Sequence, residues 1–148
     1  MLPWIKLVHL LAMLMWFGTL MIVHGTMARN LSSPEPSVRN AFAAAIDKFN
    51  LRYMLPGILL SVATGLWMVF AFYGIRAGYI HAKLGLGLLG AVVSLYSIAD
   101  FRGLRRQIAS RGAEPGALPR KAILRWRLTT MAAAALLLGT LVSAMLKF

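Results

Sequence analysis

The chain has 148 residues, 59% of them hydrophobic and only 14% charged, with a mean hydropathy of +0.72. That is too apolar for a soluble domain of ordinary composition and marks an integral membrane protein. Sixteen lysines and arginines against four acids give a formal charge of +12, and the absence of cysteine excludes disulfides, thiolate metal sites and cysteine nucleophiles.

Four apolar stretches, 3–26, 51–73, 79–99 and 128–146, each approach the roughly 20 residues needed to cross a hydrocarbon core about 30 Å thick. None alternates strictly between apolar and polar residues, so they read as helices and not as barrel strands. The first stretch lacks a basic leader and carries Lys6 and His9 in its opening turns, so it is expected to be a mature helix and not a cleaved signal. The Ser/Pro-rich run 31–37 then interrupts the chain. Beyond it Val38, Phe42, Ile46 and Phe49 share one helical face, which predicts a short interfacial amphipathic helix between helices 1 and 2, with Ser37 as its N-cap. Only 74–78 joins the second span to the third, so these two should form an antiparallel hairpin. The third span continues into the arginine-rich segment 100–107 before Gly112, Pro115, Gly116 and Pro119 stop it, and the fourth helix starts soon after. The expectation is an all-α membrane protein, a four-transmembrane-helix bundle forming one domain over 1–148, with helices at about 3–26, 51–73, 79–108 and 120–146.

Twelve of the sixteen basic residues surround the first and third connections, and only Lys6, Arg76, Lys83 and Lys147 lie at the other face. Because cytoplasmic loops concentrate lysine and arginine, both termini are expected outside, as in a multi-pass protein of the cell inner (plasma) membrane. This bias accounts for the charge without nucleic acid, and attraction to anionic lipid is its ordinary consequence. Small residues recur at helical spacing: Gly57, Ser61 and Gly65 in the second span, Ala135, Gly139 and Ser143 in the fourth, and Gly85, Gly87, Gly90 and Ser94 in the third. Such stripes serve close helix contact, or leave room for a flat cofactor.

His9 and His81 open the first and third spans, which run in the same direction through a four-span bundle, so both belong to one face. Measured from the interface anchors Trp4 and Tyr79, their depths differ by about 4 to 5 Å at a rise of about 1.5 Å per residue. A polar, metal-binding side chain within an apolar span is costly, which makes each a functional candidate. Two neutral imidazoles at matched depth can serve as axial ligands of a haem iron, and Lys6, Lys83 and Arg76 near the same surface can pair with its carboxylates. His24 lies fifteen residues after His9, about 22 Å along a helix, and cannot share that iron. It reads either as a proton relay or quinone contact, or as a cap-region histidine satisfied by backbone and water. Asp100 reads as the partner of Arg102 and Arg105. No nucleophile with an adjacent base, no paired carboxylates and no phosphate-binding glycine loop appear, so hydrolysis and phosphoryl transfer have no visible machinery.

Trp4, Lys6, His9, Trp16 and Gly18 in the first span combine with Arg52-Tyr53-Met54-Leu55-Pro56 and Gly65-Leu66-Trp67 in the second. Gly78-Tyr79-Ile80-His81-Ala82-Lys83-Leu84 opens the third, and Arg125-Trp126 lies in the fourth. The combination resembles the HemJ-type protoporphyrinogen oxidases and the related CopD-type membrane proteins, and it spans nearly the whole chain. The resemblance implies a four-helix membrane fold, haem b, and oxidation of protoporphyrinogen IX. It also implies His9 and His81 as haem or active-site histidines and Lys83 as the matching lysine. Two segments depart from the family pattern. Where the family has L-P-R-x-x-x-x-H after helix one, this chain has His24 and Arg29 in exchanged order. Where it has N-E-x-P in helix four, this chain has Leu128, Thr129 and Thr130. Three roles therefore stand beside one another: electron transfer to or from a porphyrinogen or quinone, a non-catalytic subunit of a larger respiratory or photosynthetic complex or homo-oligomer, and copper handling through His and Met.

Overall fold

The structure is a computed structural model that describes residues 2–73, 78–111 and 120–145. Five helices order the described residues: α1 (Leu2–Ile22), α2 (Pro36–Phe49), α3 (Leu55–Met68), α4 (Gly78–Arg111) and α5 (Arg120–Met145). Four continuous helical stretches are long and apolar enough to cross a membrane: Leu2–Ser32, Pro36–Phe72, Ile80–Ser110 and Arg120–Ser143. Pro3 sits in the first turn of α1, where a missing N–H costs no helical bond.

The first two stretches outrun the lengths expected from hydropathy because wide turns extend them without a break. After α1 a π-helical turn, Val23–Met27, leads into a tight turn, Ala28–Ser32. Between α2 and α3 a second π-helical turn, Asn50–Met54, lets the Leu55 N–H reach back five residues to the Asn50 carbonyl. Pro56 explains it, since a proline ring inside an α-helix collides with the carbonyl four residues earlier, here that of Arg52, and a wider turn moves that carbonyl aside. A helix, α2, stands where the amphipathic one was expected, and it runs directly into α3 as part of the second continuous stretch. Its start is two residues earlier than expected: Glu35 is the N-cap in place of Ser37, and Pro36 opens the helix with a φ already suited to it. The buried Arg39 ties the entering loop down by donating to the carbonyls of Ser33 (2.9 Å) and Pro34 (3.1 Å).

Two apolar clusters hold the bundle. At the arginine-rich end, Ala43 and Ile46 of α2 meet Val23, Ala28 and Leu31 from the end of the first stretch, Phe101, Leu104 and Ile108 of α4, and Trp126 of α5. Mid-bundle, Trp16 and Leu20 of α1 pack with Ile58 of α3, Ala91 and Ile98 of α4, and Ala133 and Leu137 of α5. Hydrogen bonds between helices add to the packing: Trp16 Nε1 donates to Ser94 Oγ at 3.1 Å, and Ser97 Oγ and Thr130 Oγ1 pair at 3.0 Å. Each such bond is worth on average about 0.6 kcal/mol in a membrane bundle. Leu11, Leu14, Leu59, Phe70, Val92 and Leu138 point outward, as lipid-facing side chains of a bundle do.

The small-residue stripe of the second span marks the α1–α3 contact. A Cβ built on Gly57 would lie 2.9 Å from the Trp16 backbone nitrogen and 3.1 Å from the Ala12 carbonyl oxygen, so the two backbones meet there. Ser61 is buried on the same side. In α4, Gly90 and Ser94 are buried, while Gly85 has no neighbour within 4 Å of its added Cβ. The expected stripe of α5 is only partly at the contact: Gly139 faces Leu86 of α4, whereas Ala135 is exposed, and the interior side is formed by Ile123, Trp126, Thr130, Ala133 and Leu137. Asp100 pairs with Arg125 of α5, and Arg102 and Arg105 pair with Asp47 of α2. The expected pairing within α4 fails because residues two and five apart do not face each other on a helix.

Candidate functional site

α1 packs chiefly on α3, and α4 chiefly on α5, whereas α3 and α4 touch little. The two helix pairs stand apart near the end where α1 begins, and between them lies a cavity of about 730 Å³. That is within the range of small-molecule and cofactor sites. Its walls are mostly apolar. Trp16, held by its bond to Ser94, lines it from α1, and Gly87 of α4 and Thr140 of α5 line it from the second pair. The polar lining comes from Lys6, His9, Ser61, Lys83 and Thr140.

His9 is the best defined of these groups. Its Nδ1 lies 3.0 Å from Thr64 Oγ1 on α3. The single hydroxyl proton of Thr64 is directed to a backbone carbonyl of its own helix, Leu60 at 2.6 Å with Ser61 at 3.2 Å. The Thr64 oxygen is then left to accept from the ring. The proton therefore sits on Nδ1, and Nε2 is left with its lone pair. Orienting an imidazole through the nitrogen that does not react is the usual way a protein prepares the other as a metal ligand or base. Gly65 completes the seat: a Cβ there would stand 3.1 Å from His9 Cε1, so the ring lies against the bare backbone of α3. The two α1–α3 contacts belong to one antiparallel register, because the step from Trp16 back to His9 equals the step from Gly57 on to Thr64.

Lys83 of α4 lies within electrostatic reach of His9, and Lys6 lies one turn before His9 on α1. The structure thus brings Lys6, His9 and Lys83 together on one cavity. Comparison with known protein families, with curated proteins and with solved structures gave no match. Function is therefore read from this constellation.

The other candidates fall elsewhere. His81 is exposed and does not line the cavity, although it shares a side of α4 with Leu84 and Leu88, three and seven residues on, which do. Arg76 lies outside the described residues, as does the side chain of Tyr79. Trp4 is 73% exposed. Trp67, at the matching level of α3, is 62% exposed and supplies a second aromatic anchor at this end. His24 sits in the π-helical turn Val23–Met27 at the opposite end, half-buried, with a buried Nδ1 that has no hydrogen-bond partner among the described residues.

Thr64 does not stand out in the sequence, since a lone threonine in an apolar helix is ordinarily satisfied by its own i−4 carbonyl. Its signal is its place in the register opposite His9, which only the helix pairing reveals. Met13, one turn after His9 on α1, and Met68 of α3 also line the cavity. Among the described residues no group of three or more His, Asp or Glu side chains gathers to hold a metal ion.

Proposed function

We propose that this is a multi-pass membrane redox protein that binds a tetrapyrrole in the cavity between its helix pairs, as the resemblance to HemJ-type protoporphyrinogen oxidases implies. The observation that supports the reading is the meeting of Lys6, His9 and Lys83 on one mostly apolar cavity. The residues present fit haem b. His9 offers a lone pair on Nε2, with Nδ1 fixed by Thr64, and the two lysines suit a pair of carboxylates at the rim. His9 would hold the iron through Nε2, and His81 is the second candidate to be tested. Held by these residues, haem would supply one-electron chemistry toward a porphyrinogen or quinol donor.

The chain's own part is binding and electrostatics. The mostly apolar walls would strengthen the attraction between the lysines and bound carboxylates at the rim. The Thr64 hydroxyl holds the His9 ring at fixed rotation. The bias of basic residues supports an orientation with the arginine-rich end in the cytoplasm and the cavity toward the outer face of the inner membrane.

Rescue of a bacterial strain lacking protoporphyrinogen oxidase tests the enzymatic role. Growth with the wild-type chain, lost with His9→Ala at equal membrane abundance, is the expected result. Failure of the wild-type chain despite normal insertion and pigment would assign it to electron transfer or to a larger complex.

A second reading has one specific observation behind it. His9, Met13 and Met68 line the same cavity, and imidazole with thioethers is a soft donor set suited to Cu(I). Stoichiometric copper without pigment in the purified protein would favour this reading.

A further inference from the structure

We propose that a second, separate site at the arginine-rich end binds the phosphate of an anionic phospholipid. A cleft of about 280 Å³ lies between Ser32, where the first helical stretch ends, and the opening turns of α5, where Arg120, Ile123, Leu124 and Arg127 line it. These four positions follow the i, i+3, i+4, i+7 spacing of a single helix side, so two cations bracket an apolar patch along about 10 Å of α5.

The charges around the cleft are unequal. Arg125 is paired with Asp100, and Arg102 and Arg105 with Asp47. Neither Arg120 nor Arg127 has a carboxylate within 4.0 Å among the described residues. Arg127 is half-buried, and a partly desolvated guanidinium is costly to leave without a counter-anion. His24 lies within electrostatic reach of Arg127, and its buried Nδ1 lacks a partner among the described residues. An anion in this cleft would meet two guanidiniums and Ser32.

A phosphodiester oxygen pair matches the planar fork of arginine. The apolar part of the cleft selects among sources of phosphate. Ile123 is buried, while Leu124 is 58% exposed beside it, four residues before the fourth apolar stretch begins. A free phosphate ion uses the cations and leaves this apolar surface uncovered, whereas a phospholipid covers both. Basic pockets between transmembrane helices are established settings for anionic headgroups. The site stands independently of the tetrapyrrole reading, because it lies at the other end of the bundle and shares no residue with the first cavity.

The test is native mass spectrometry of the protein released from nanodiscs of phosphatidylcholine mixed with phosphatidylglycerol. Preferential retention of one phosphatidylglycerol per chain is expected. Arg120→Gln with Arg127→Gln should weaken it by about thirty-fold, from about 1 kcal/mol per cation at a membrane surface. Arg106→Gln with Lys121→Gln removes the same charge outside the cleft and should leave retention near the wild-type level. Equal losses in both pairs would overturn the site, and displacement of the lipid by millimolar inorganic phosphate would overturn the choice of a phospholipid. A readout that needs no variant is photo-crosslinking of the wild-type protein by a headgroup-labelled phosphatidylglycerol. Labels should gather at 29–32 and 120–127, and an even spread over 102–106 as well would contradict the proposal.

Discussion

Three glycine-to-alanine substitutions separate the scaffold from the site, because the same added methyl group meets a different neighbour at each position. At Gly57 it would stand 2.9 Å from the Trp16 nitrogen and 3.1 Å from the Ala12 oxygen, both backbone atoms of a packed helix. Restoring ordinary contact requires α1 and α3 to separate by about half an ångström, and overpacking of this kind costs about 1–3 kcal/mol. The gain in helix propensity from Gly to Ala offsets about 1 kcal/mol of that. Gly57→Ala is thus expected to destabilise the bundle by up to about 2 kcal/mol, and by about 1–3 kcal/mol relative to Gly18→Ala, which keeps the propensity gain without the clash. At Gly65 the methyl meets only the His9 ring, with Cε1 at 3.1 Å and Nδ1 at 3.7 Å, and a ring at the end of a side chain can give way by a few tenths of an ångström. Stability should then stay near the wild type while the His9–Thr64 geometry is lost. At Gly18 nothing lies within 4 Å, and the substitution should be neutral or mildly stabilising. Thermal unfolding in detergent, with pigment content measured on the same samples, reads all three. The expected order is lowered stability for Gly57→Ala, lowered pigment at normal stability for Gly65→Ala, and neither for Gly18→Ala. A Gly57→Ala protein as stable as Gly18→Ala would refute the close α1–α3 approach, and full pigment in Gly65→Ala would refute the seat assigned to His9.

Thr64→Val keeps the side-chain shape and removes the hydrogen-bond acceptor of His9, so haem affinity in a titration of the apoprotein should fall by about 10–100-fold, the usual effect of losing a partner behind a metal-ligating histidine. Ser97→Ala should lower stability by about 0.6 kcal/mol, and by no more than about 1.7, because it breaks one hydrogen bond between α4 and α5 and leaves the apolar packing in place. Asp47→Asn removes the partner of two half-exposed arginines, so chemical denaturation should register a loss of no more than about 1 kcal/mol that shrinks in high salt. Lys83→Ala should lower pigment content without affecting unfolding, since Lys83 is exposed and serves the cavity alone.

The four spans are legible in the sequence because length and apolarity decide them, and the ends of α4 and α5 fall close to the expected boundaries. Gly57, Ser61 and Gly65 can be read as an interface because small residues repeated at helical spacing let two membrane helices come close. The continuity of α2 with α3 is hidden, since Pro56 reads as a helix start and only a π-helical turn allows the chain to pass it. In α5 the small-residue pattern marks only part of the contact: Gly139 faces Leu86 of α4, but Ala135 is exposed, and Trp126, Leu137 and two threonines supply the buried face. Within the site, Lys6, His9 and Lys83 follow from their depth along the spans. Thr64 does not, because its role depends on which turn of α3 lies beside His9. Depth places His81 correctly near the cavity end, but rotation decides whether a residue lines a cavity, and His81 is exposed.

The most direct test of the central claim is the reduced-minus-oxidised absorption spectrum of the protein as purified from a haem-sufficient host, recorded for the wild type, His9→Ala and His81→Ala. The account predicts a sharp alpha band in the wild type and its loss in His9→Ala. The His81→Ala spectrum decides whether the exposed histidine supplies a second ligand. A colourless wild-type protein, or a His9→Ala protein with an unchanged spectrum, would contradict the assignment of the cavity to a tetrapyrrole.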